Sequence, residues 1–430
     1  MKVLLVGGGG REHALAWKIA QSPRLARLIA APGNPGVARH AECVAVKDGA
    51  IEDLVALATR ESVDLVVVGP ELPLSLGLGD RLREAGLAVF GPSQAAARLE
   101  SSKAFSKDLM ARYGIPTARF KTFQDAAAAR RFCREWGAPL VVKADGLAAG
   151  KGAIVCRTLD EADAAIRLCL EDGAFGAAGR TVVVEEFMDG EEASVFVVTD
   201  GTSALPFQAA QDHKTIFDGD RGPNTGGMGA YSPAPVMDGA MDRRVMAEIV
   251  MPTIAAMAKE GAPYAGVLYV GLMITSQGPR VVEFNCRFGD PECQAIVPRL
   301  DEDILPVFDA VARGRGLPTS LRWRAEASVC VVLASHGYPG PPRTGDPIRG
   351  LDATGALPGV NVFHAGTARR DGALVTSGGR VLGVQALGPD IGAAIARAYA
   401  GVDRIHFDGM QCRRDIGWKA LGGRKALGRA

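Results

Sequence analysis

The run VVEFNCRFGDPECQ, residues 281–294, decides how this chain is read. In an extended strand successive side chains leave opposite faces, which puts Val282, Phe284, Cys286 and Phe288 on one side and Glu283, Asn285 and Arg287 on the other. A carboxylate and an amide oxygen two positions apart can lean toward one hard cation, and magnesium takes such oxygens while keeping waters and substrate phosphates. Taken alone, an E-x-N pair also describes any half-solvated strand face. Gly289 and Pro291 end the strand and leave Asp290 and Glu292 beside Arg287. The run therefore predicts a metal site at Glu283 and Asn285 next to an arginine suited to an anion.

Outward from that run, a chain of 430 residues exceeds one ordinary core, so several domains are expected. A hydrophobic fraction of 47% and a charged fraction of 23% fit a globular enzyme. The net charge of +1 gives no electrostatic reason to expect nucleic acid or an anionic membrane as partner. No apolar run is long enough to span a bilayer, and the N-terminus enters KVLLVGGGG, a strand and glycine turn unlike a signal peptide. A cytoplasmic protein is expected. The eight cysteines form no C-x-x-C pair, so reduced, buried thiols are predicted instead of zinc or disulfides.

The fold class expected is multidomain α/β. In residues 1–100 the buried runs KVLLVG, RLIAAPG, ECVAV, VDLVVVGPE and LAVFGP alternate with helical patterns, which predicts an N-terminal doubly wound parallel sheet. Residues 119–188 hold APLVVKAD, GAIVCRT and RTVVVEEF, a small glycine-marked unit. Residues 101–118 and 189–322 form the central unit, with a helix around Arg243 to Lys259 and the strands GVLYVGLMI and PRVVEFNCRF. From 323 to 430 the pattern is β-rich, with RIHFDG among its strands, and ends in KALGGRKALGRA, a short basic tail.

The motifs narrow the chemistry. VLLVGGGGREHALAWKIA is strand, glycine turn and helix, so free N–H groups at the helix start can hold a phosphate. G-x-G-x-x-G fails there, because Glu12 or His13 falls where the third glycine belongs, and APGNPG replaces the ribose acid of a dinucleotide fold. VVKADGLAAGKGAIV sets Lys143 on a strand before a glycine loop containing Gly150, Lys151 and Gly152, able to fold over a triphosphate. It is not a P-loop, since Gly152 follows the lysine. VVVEEFMDGEEAS ends a strand in Glu185, Glu186 and Phe187, a hinge that could meet an adenine edge. The stretch QDHKTIFDGDRGPNTGGMGAYSPAP, about 25 residues, reads as a long functional loop recognising a polar substrate. His213 within it is given no catalytic role.

Together GGREHALAWK, APGNPG, VGPE, KADGLAAGKG, EEFMDGEEAS, QDHK, GPNTGGMGAYSPAP and EFNCRFGDPECQ resemble, end to end and in order, the ATP-grasp superfamily and within it the phosphoribosylamine–glycine ligase family. Two departures are a glycine where the turn should carry an asparagine and Cys293 in place of a small hydroxyl residue. The resemblance implies ATP-grasp central domains with a small lid. It also implies ATP-dependent joining of glycine to 5-phosphoribosylamine through a glycyl phosphate, with Mg2+ or Mn2+, by a monomer. By matching positions, Glu283 and Asn285 would hold the metal, Lys103 and Lys143 the ATP phosphates, and Gly150, Lys151 and Gly152 the lid. Glu185, Glu186 and Phe187 would lie at the adenine and Glu192 at the ribose. Asp212, Lys214, Asn224 and Thr225 would face the substrates, and Gly8, Gly9, Gly10 and Arg11 the phosphosugar phosphate. Arg287, Asp290 and Asp212 are the catalytic residues it implies. Another ATP-grasp ligase or carboxylase, an NAD-dependent oxidoreductase, and a nucleotide sensor without turnover are the competing readings.

Overall fold

The computed structural model describes residues 1–148 and 152–422. Five parallel strands open it: β1 (Lys2–Gly7), β2 (Arg27–Pro32), β3 (Glu42–Cys43), β4 (Leu65–Val68) and β5 (Val89–Phe90), in the order β3-β2-β1-β4-β5. Alternate residues of β1 feed two cores, as expected of a sheet covered on both faces. Leu4 and Val6 join a cluster that continues into the central sheet at Val270 and Phe284, whereas Val3 and Leu5 pack with Leu15, Ile19 and Phe308. Helix α1 (Gly10–Ile19) follows β1 directly, as the glycine turn predicts.

The small unit is an antiparallel sheet of β6 (Phe120–Phe123), β7 (Leu140–Ala144), β8 (Ala153–Cys156) and β9 (Val182–Glu186), ordered β6-β9-β7-β8. It has its own core of Leu140, Val142, Ile166, Val182 and Val184, with Cys133, Cys156 and Cys169 buried as free thiols. Next come β10 (Glu191–Thr199) and β11 (Ala204–Pro206). The stretch read as one long loop is instead built from β12 (Gln211–Asp212), the hairpin β13 (Thr215–Phe217) and β14 (Arg221–Asn224), and β15 (Gly229–Ser232). Asp220, Gly219 and Gly222 adopt positive φ at or beside the hairpin turn, which lets so short a connection reverse the chain. β16 (Gly266–Thr275) and β17 (Gly278–Asn285) complete the central sheet, β11-β10-β16-β17.

The last sheet, β12-β15-β18-β22-β19, combines two strands from that stretch with β18 (Ala327–Ala334), β19 (Val360–His364) and β22 (Arg380–Gly388). Beside it β20 (Thr367–Arg370) and β21 (Ala373–Thr376) form a separate pair. RIHFDG forms only a single bridge, between Arg349 and His406, because the chain turns back at once. The end of the basic tail, residues 423–430, lies outside the described residues.

The first and last units are locked together around α1. Asn34 donates to Gly8 O and His364 O, each at 2.8 Å, and accepts from the amides of Gly36 and Val37. The His364 amide donates to Nδ1 of buried His13 at 2.7 Å. That bond needs a neutral ring, and burial, then the neighbouring His364, His40 and Arg39, push the His13 pKa well down. The unfolded chain binds the proton more tightly, so this contribution is complete above about pH 6.5 and falls by about 1.4 kcal/mol per unit below it. A His13→Gln protein, whose amide oxygen can still accept, should therefore show a shallower loss of Tm between pH 7 and pH 5 than the natural chain. Identical slopes in thermal melts would remove His13 from this role.

Candidate functional site

One cleft of about 410 Å³ opens between the small unit and the central sheet. On the small unit's side Lys143, at the end of β7, reaches Glu185 Oε2 at 2.9 Å and Val282 O at 2.9 Å. Lys107 meets the same carboxylate oxygen at 3.0 Å. Burial lowers the Lys107 pKa to about 8 against the pull of Glu185. Glu185 Oε1 and Ser106 Oγ are buried with no hydrogen-bond partner among the described residues. Lys103 begins the helix Lys103–Tyr113, whose start is pinned to the end of β7 by the Ala104 amide donating to Asp145 at 2.6 Å. Its ammonium donates to Gly146 O at 3.1 Å, and burial, then Lys143, lowers its pKa. Gly152 and the partly exposed Phe187 line the same side, while Glu186 is held by Arg119 and Arg280. Gly150 and Lys151 lie outside the described residues.

The floor is β17. Glu283, Asn285 and Arg287 line the cleft as alternation predicts, but the opposite face differs from expectation. A bulge in the pairing with β16 sets Gly271 against Glu283 and Leu272 against Val281, so Val281 enters the core with Phe284 and Val282 lines the cleft. Phe288 lies past the end of the strand and packs in the other core. The Glu283 carboxylate accepts no hydrogen bond from the described residues. Although burial would raise its pKa, Lys214, Lys143 and Lys103 outweigh it and keep the carboxylate ionised.

Among the described residues Arg287 pairs with neither Asp290 nor Glu292, although both line the same cleft. Its guanidinium donates to Glu71 at 3.1 Å, Glu100 at 2.8 Å and Asn285 Oδ1 at 3.2 Å. Burial works against a carboxylate at Glu71, yet Arg287 and Arg11 draw its pKa down to about 2. At Glu100, burial and then the nearby Glu71 charge win over Arg287, and its pKa rises. Glu100 also accepts the Cys286 amide at 2.8 Å. Glu292 instead accepts from Tyr269 at 2.9 Å and Ser194 at 3.1 Å.

Opposite the floor stand Asp212, Lys214, Asn224 and Thr225. Lys214 pairs with Glu192 at 2.5 Å, and both the amide and hydroxyl of Thr225 donate to Lys214 O at 2.7 Å. Burial, then the carboxylates of Glu292 and Glu192, raises the Asp212 pKa to about 7 despite Lys214. Burial pulls Lys214 down, but Glu192 and Asp212 prevail and hold it well above the ordinary lysine value. His213 does not line the cleft and accepts the Gly417 amide at 3.0 Å.

At the N-terminal turn the expected free donors are partly occupied. The Gly9 amide donates to Glu12 at 2.6 Å, and the Arg11 amide to Asp290 at 3.2 Å. Arg11 lines the cleft, with its guanidinium on Glu12 and Phe288 O, whereas Gly8, Gly9 and Gly10 stand behind it. Sequence reading missed Arg380, which enters the cleft from β22 and donates to the carbonyls of Gly226 and Asp290, each at 2.5 Å. The pair Gly226–Gly227 is one sequence signal that could have found it. A side chain at Gly227 (φ +113) would stand 2.5 Å from Pro291, and one at Gly226 would stand 3.0 Å from the Arg380 guanidinium.

Comparison with known proteins follows the same outline. The N domain of phosphoribosylglycinamide synthetase matches residues 1–100, its ATP-grasp (A) domain residues 101–293, and its C domain residues 328–419. A phosphoribosylamine–glycine ligase of Mesorhizobium japonicum is 57% identical over 99% of this chain and 100% of that protein. One of Pseudomonas aeruginosa is 51% identical over 98% of both. The crystal structure of the Thermotoga maritima phosphoribosylamine–glycine ligase superposes with a TM-score of 0.84 at 32% identity, covering 97% of this chain and 100% of that one. A biotin carboxylase domain from Hydrogenobacter thermophilus, 18% identical with a TM-score of 0.73, shares the fold alone; it spans 96% of this chain and 91% of its own.

Proposed function

This chain belongs to the phosphoribosylamine–glycine ligase family, and from that premise we propose how its cleft carries out the family's reaction. It joins glycine to 5-phosphoribosylamine with conversion of ATP to ADP and phosphate, yielding glycinamide ribonucleotide for purine synthesis. The observation that carries the residue assignments is the convergence of lysines, an ionised carboxylate without a hydrogen-bond partner among the described residues and a paired arginine in one cleft. A dinucleotide site does not account for that set.

ATP would lie under the small unit, residues 119–188, with its adenine at Glu185, Glu186 and Phe187. Glu185 Oε1, buried and without a partner among the described residues, is an acceptor suited to the exocyclic amine. Lys103 and Lys143 would meet the phosphates, with Gly150, Lys151 and Gly152 closing above them and Glu192 at the ribose. Glu283 and Asn285 fit magnesium or manganese: two hard oxygens facing an open cleft leave coordination positions for phosphate and water. When bound, the cation neutralises charge on the transferring phosphoryl group. Glycine's carboxylate takes that group, and Arg287 stabilises the resulting acyl phosphate. Asp212, with a pKa near neutrality, accepts the proton the attacking amine loses, while Lys214, Asn224 and Thr225 orient the reactants. Asp290 orients the amine.

The first unit, 1–100, would hold the phosphosugar through Gly8, Gly9, Gly10 and Arg11. Arg380, from the 323–430 unit, stands on the same side. Residues 101–118 and 189–322 supply the floor. Closure of the small unit over ATP excludes water that would otherwise hydrolyse the acyl phosphate. We read the protein as a cytoplasmic monomer acting on these small molecules. Among the described residues no helix is long and apolar enough to cross a membrane.

The test is ADP release by the purified protein with ATP and magnesium, omitting glycine and freshly generated phosphoribosylamine in turn. Turnover that needs both is expected. Turnover indifferent to glycine, or dependent on bicarbonate, would overturn the reading.

A further inference from the structure

Arg413 is among the largest fully buried side chains, and it lies outside the cleft. Burying a guanidinium is costly unless every donor finds an acceptor. Here Nε and Nη2 grip the two oxygens of Asp415, each at 2.7 Å. Nη1 donates to Asp220 at 2.9 Å, to Thr215 Oγ1 at 2.9 Å and to Thr215 O at 3.3 Å. The two acceptor sets belong to different parts of the chain. Asp415 is on the C-terminal segment, whereas Thr215 and Asp220 are on the hairpin formed by β13 and β14.

Four further contacts tie the same two segments. Lys419 pairs with Asp220 at 2.7 Å, and the Gly219 amide donates to Asp415 at 2.8 Å. The Arg414 amide donates to Asp218 at 2.8 Å and the Gly417 amide to His213 at 3.0 Å. The hairpin is thus held at its tip and at its root by residues 413–419. Its root is where it meets the cleft. Thr215 follows Lys214 directly and pairs with Asn224, and Thr225 is bonded back to Lys214 O.

We propose that Arg413 is a positioning residue for the ligase reaction: through Thr215 and Asp220 it fixes the hairpin so that Lys214, Asn224 and Thr225 face the substrates. The proposal rests on the assignment of those three residues to the substrate side of the cleft. A fork of planar donors suits the task, since it fixes direction as well as distance. A lysine at 413 keeps the charge and loses the fork.

Thr215→Val removes one acceptor without changing side-chain volume, and Thr215→Ser keeps it. With a displacement of the order of an ångström, kcat/KM for glycine in Thr215→Val should fall by about tenfold or more. The ATP KM should move much less, and Thr215→Ser should restore the natural value. Arg413→Lys should show the same split, with a lower Tm. A purely structural staple would lower Tm and leave the kinetic constants of the folded protein unchanged. Natural kinetics in Thr215→Val, or equal losses in Thr215→Val and Thr215→Ser, would overturn the proposal while the natural chain's glycine-dependent turnover upholds the assignment of the cleft. A natural chain without that turnover would overturn both.

Discussion

Glu283→Gln should lower turnover by a factor of the order of a hundred to a thousand, with the fold intact and the requirement for magnesium raised. The two side chains are nearly the same shape, and among the described residues the Glu283 carboxylate makes no hydrogen bond that glutamine would forfeit. What changes is charge. The carboxylate sits among Lys214, Lys143 and Lys103, which hold it ionised, and it points into the cleft where the phosphates would lie. A neutral amide there leaves one hard anionic oxygen fewer for the cation. Steady-state rates across a magnesium titration would measure the effect, and manganese binding followed by electron paramagnetic resonance would report on the site without turnover. Unchanged kinetics at limiting magnesium would remove Glu283 from the metal site.

Arg287→Met should both destabilise the protein and abolish most turnover. The arginine is the counter-charge for Glu71 and Glu100, and it also steadies the Asn285 amide. Removing one partner of a buried pair costs about 3–5 kcal/mol, because the remaining charge has lost its compensation. Glu100 is the more exposed to this loss, since its pKa already lies above the usual carboxylate value. Adding Glu100→Gln to Arg287→Met should therefore recover part of the stability while recovering no activity. Equal melting temperatures for the single and double variants would show that the two groups do not depend on each other.

Much of this site was legible in the sequence wherever chemistry followed local spacing. Alternation along β17 placed Glu283, Asn285 and Arg287 on one face, and the strand-to-loop run placed Lys143. What the sequence hid were effects of tertiary pairing. The bulge that moves Val282 into the cleft depends on the register of β16, which no local pattern encodes. Arg287 has carboxylate partners, but they come from distant segments, at Glu71 and Glu100. Lys107 sits in an ordinary helical pattern and becomes informative only once Glu185 is seen against it. Arg380 looks like any strand-edge arginine until Gly226 and Gly227 clear the space for it. The bond from the Gly9 amide to Glu12 spends one of the turn's donors on the turn itself.

The sheet β12-β15-β18-β22-β19 has a consequence for the order in which a new chain matures. β15 is made long before β18, so while the ribosome is still adding the intervening residues its backbone has no neighbour on that side. The hairpin that carries Lys214 likewise waits for residues 413–419. On the site proposed above, the units that would take ATP are complete before residues 413–419 emerge, and the wall that carries Lys214 is fixed only as synthesis ends. Part-made chains would then hold the proposed ATP cradle before the proposed substrate wall.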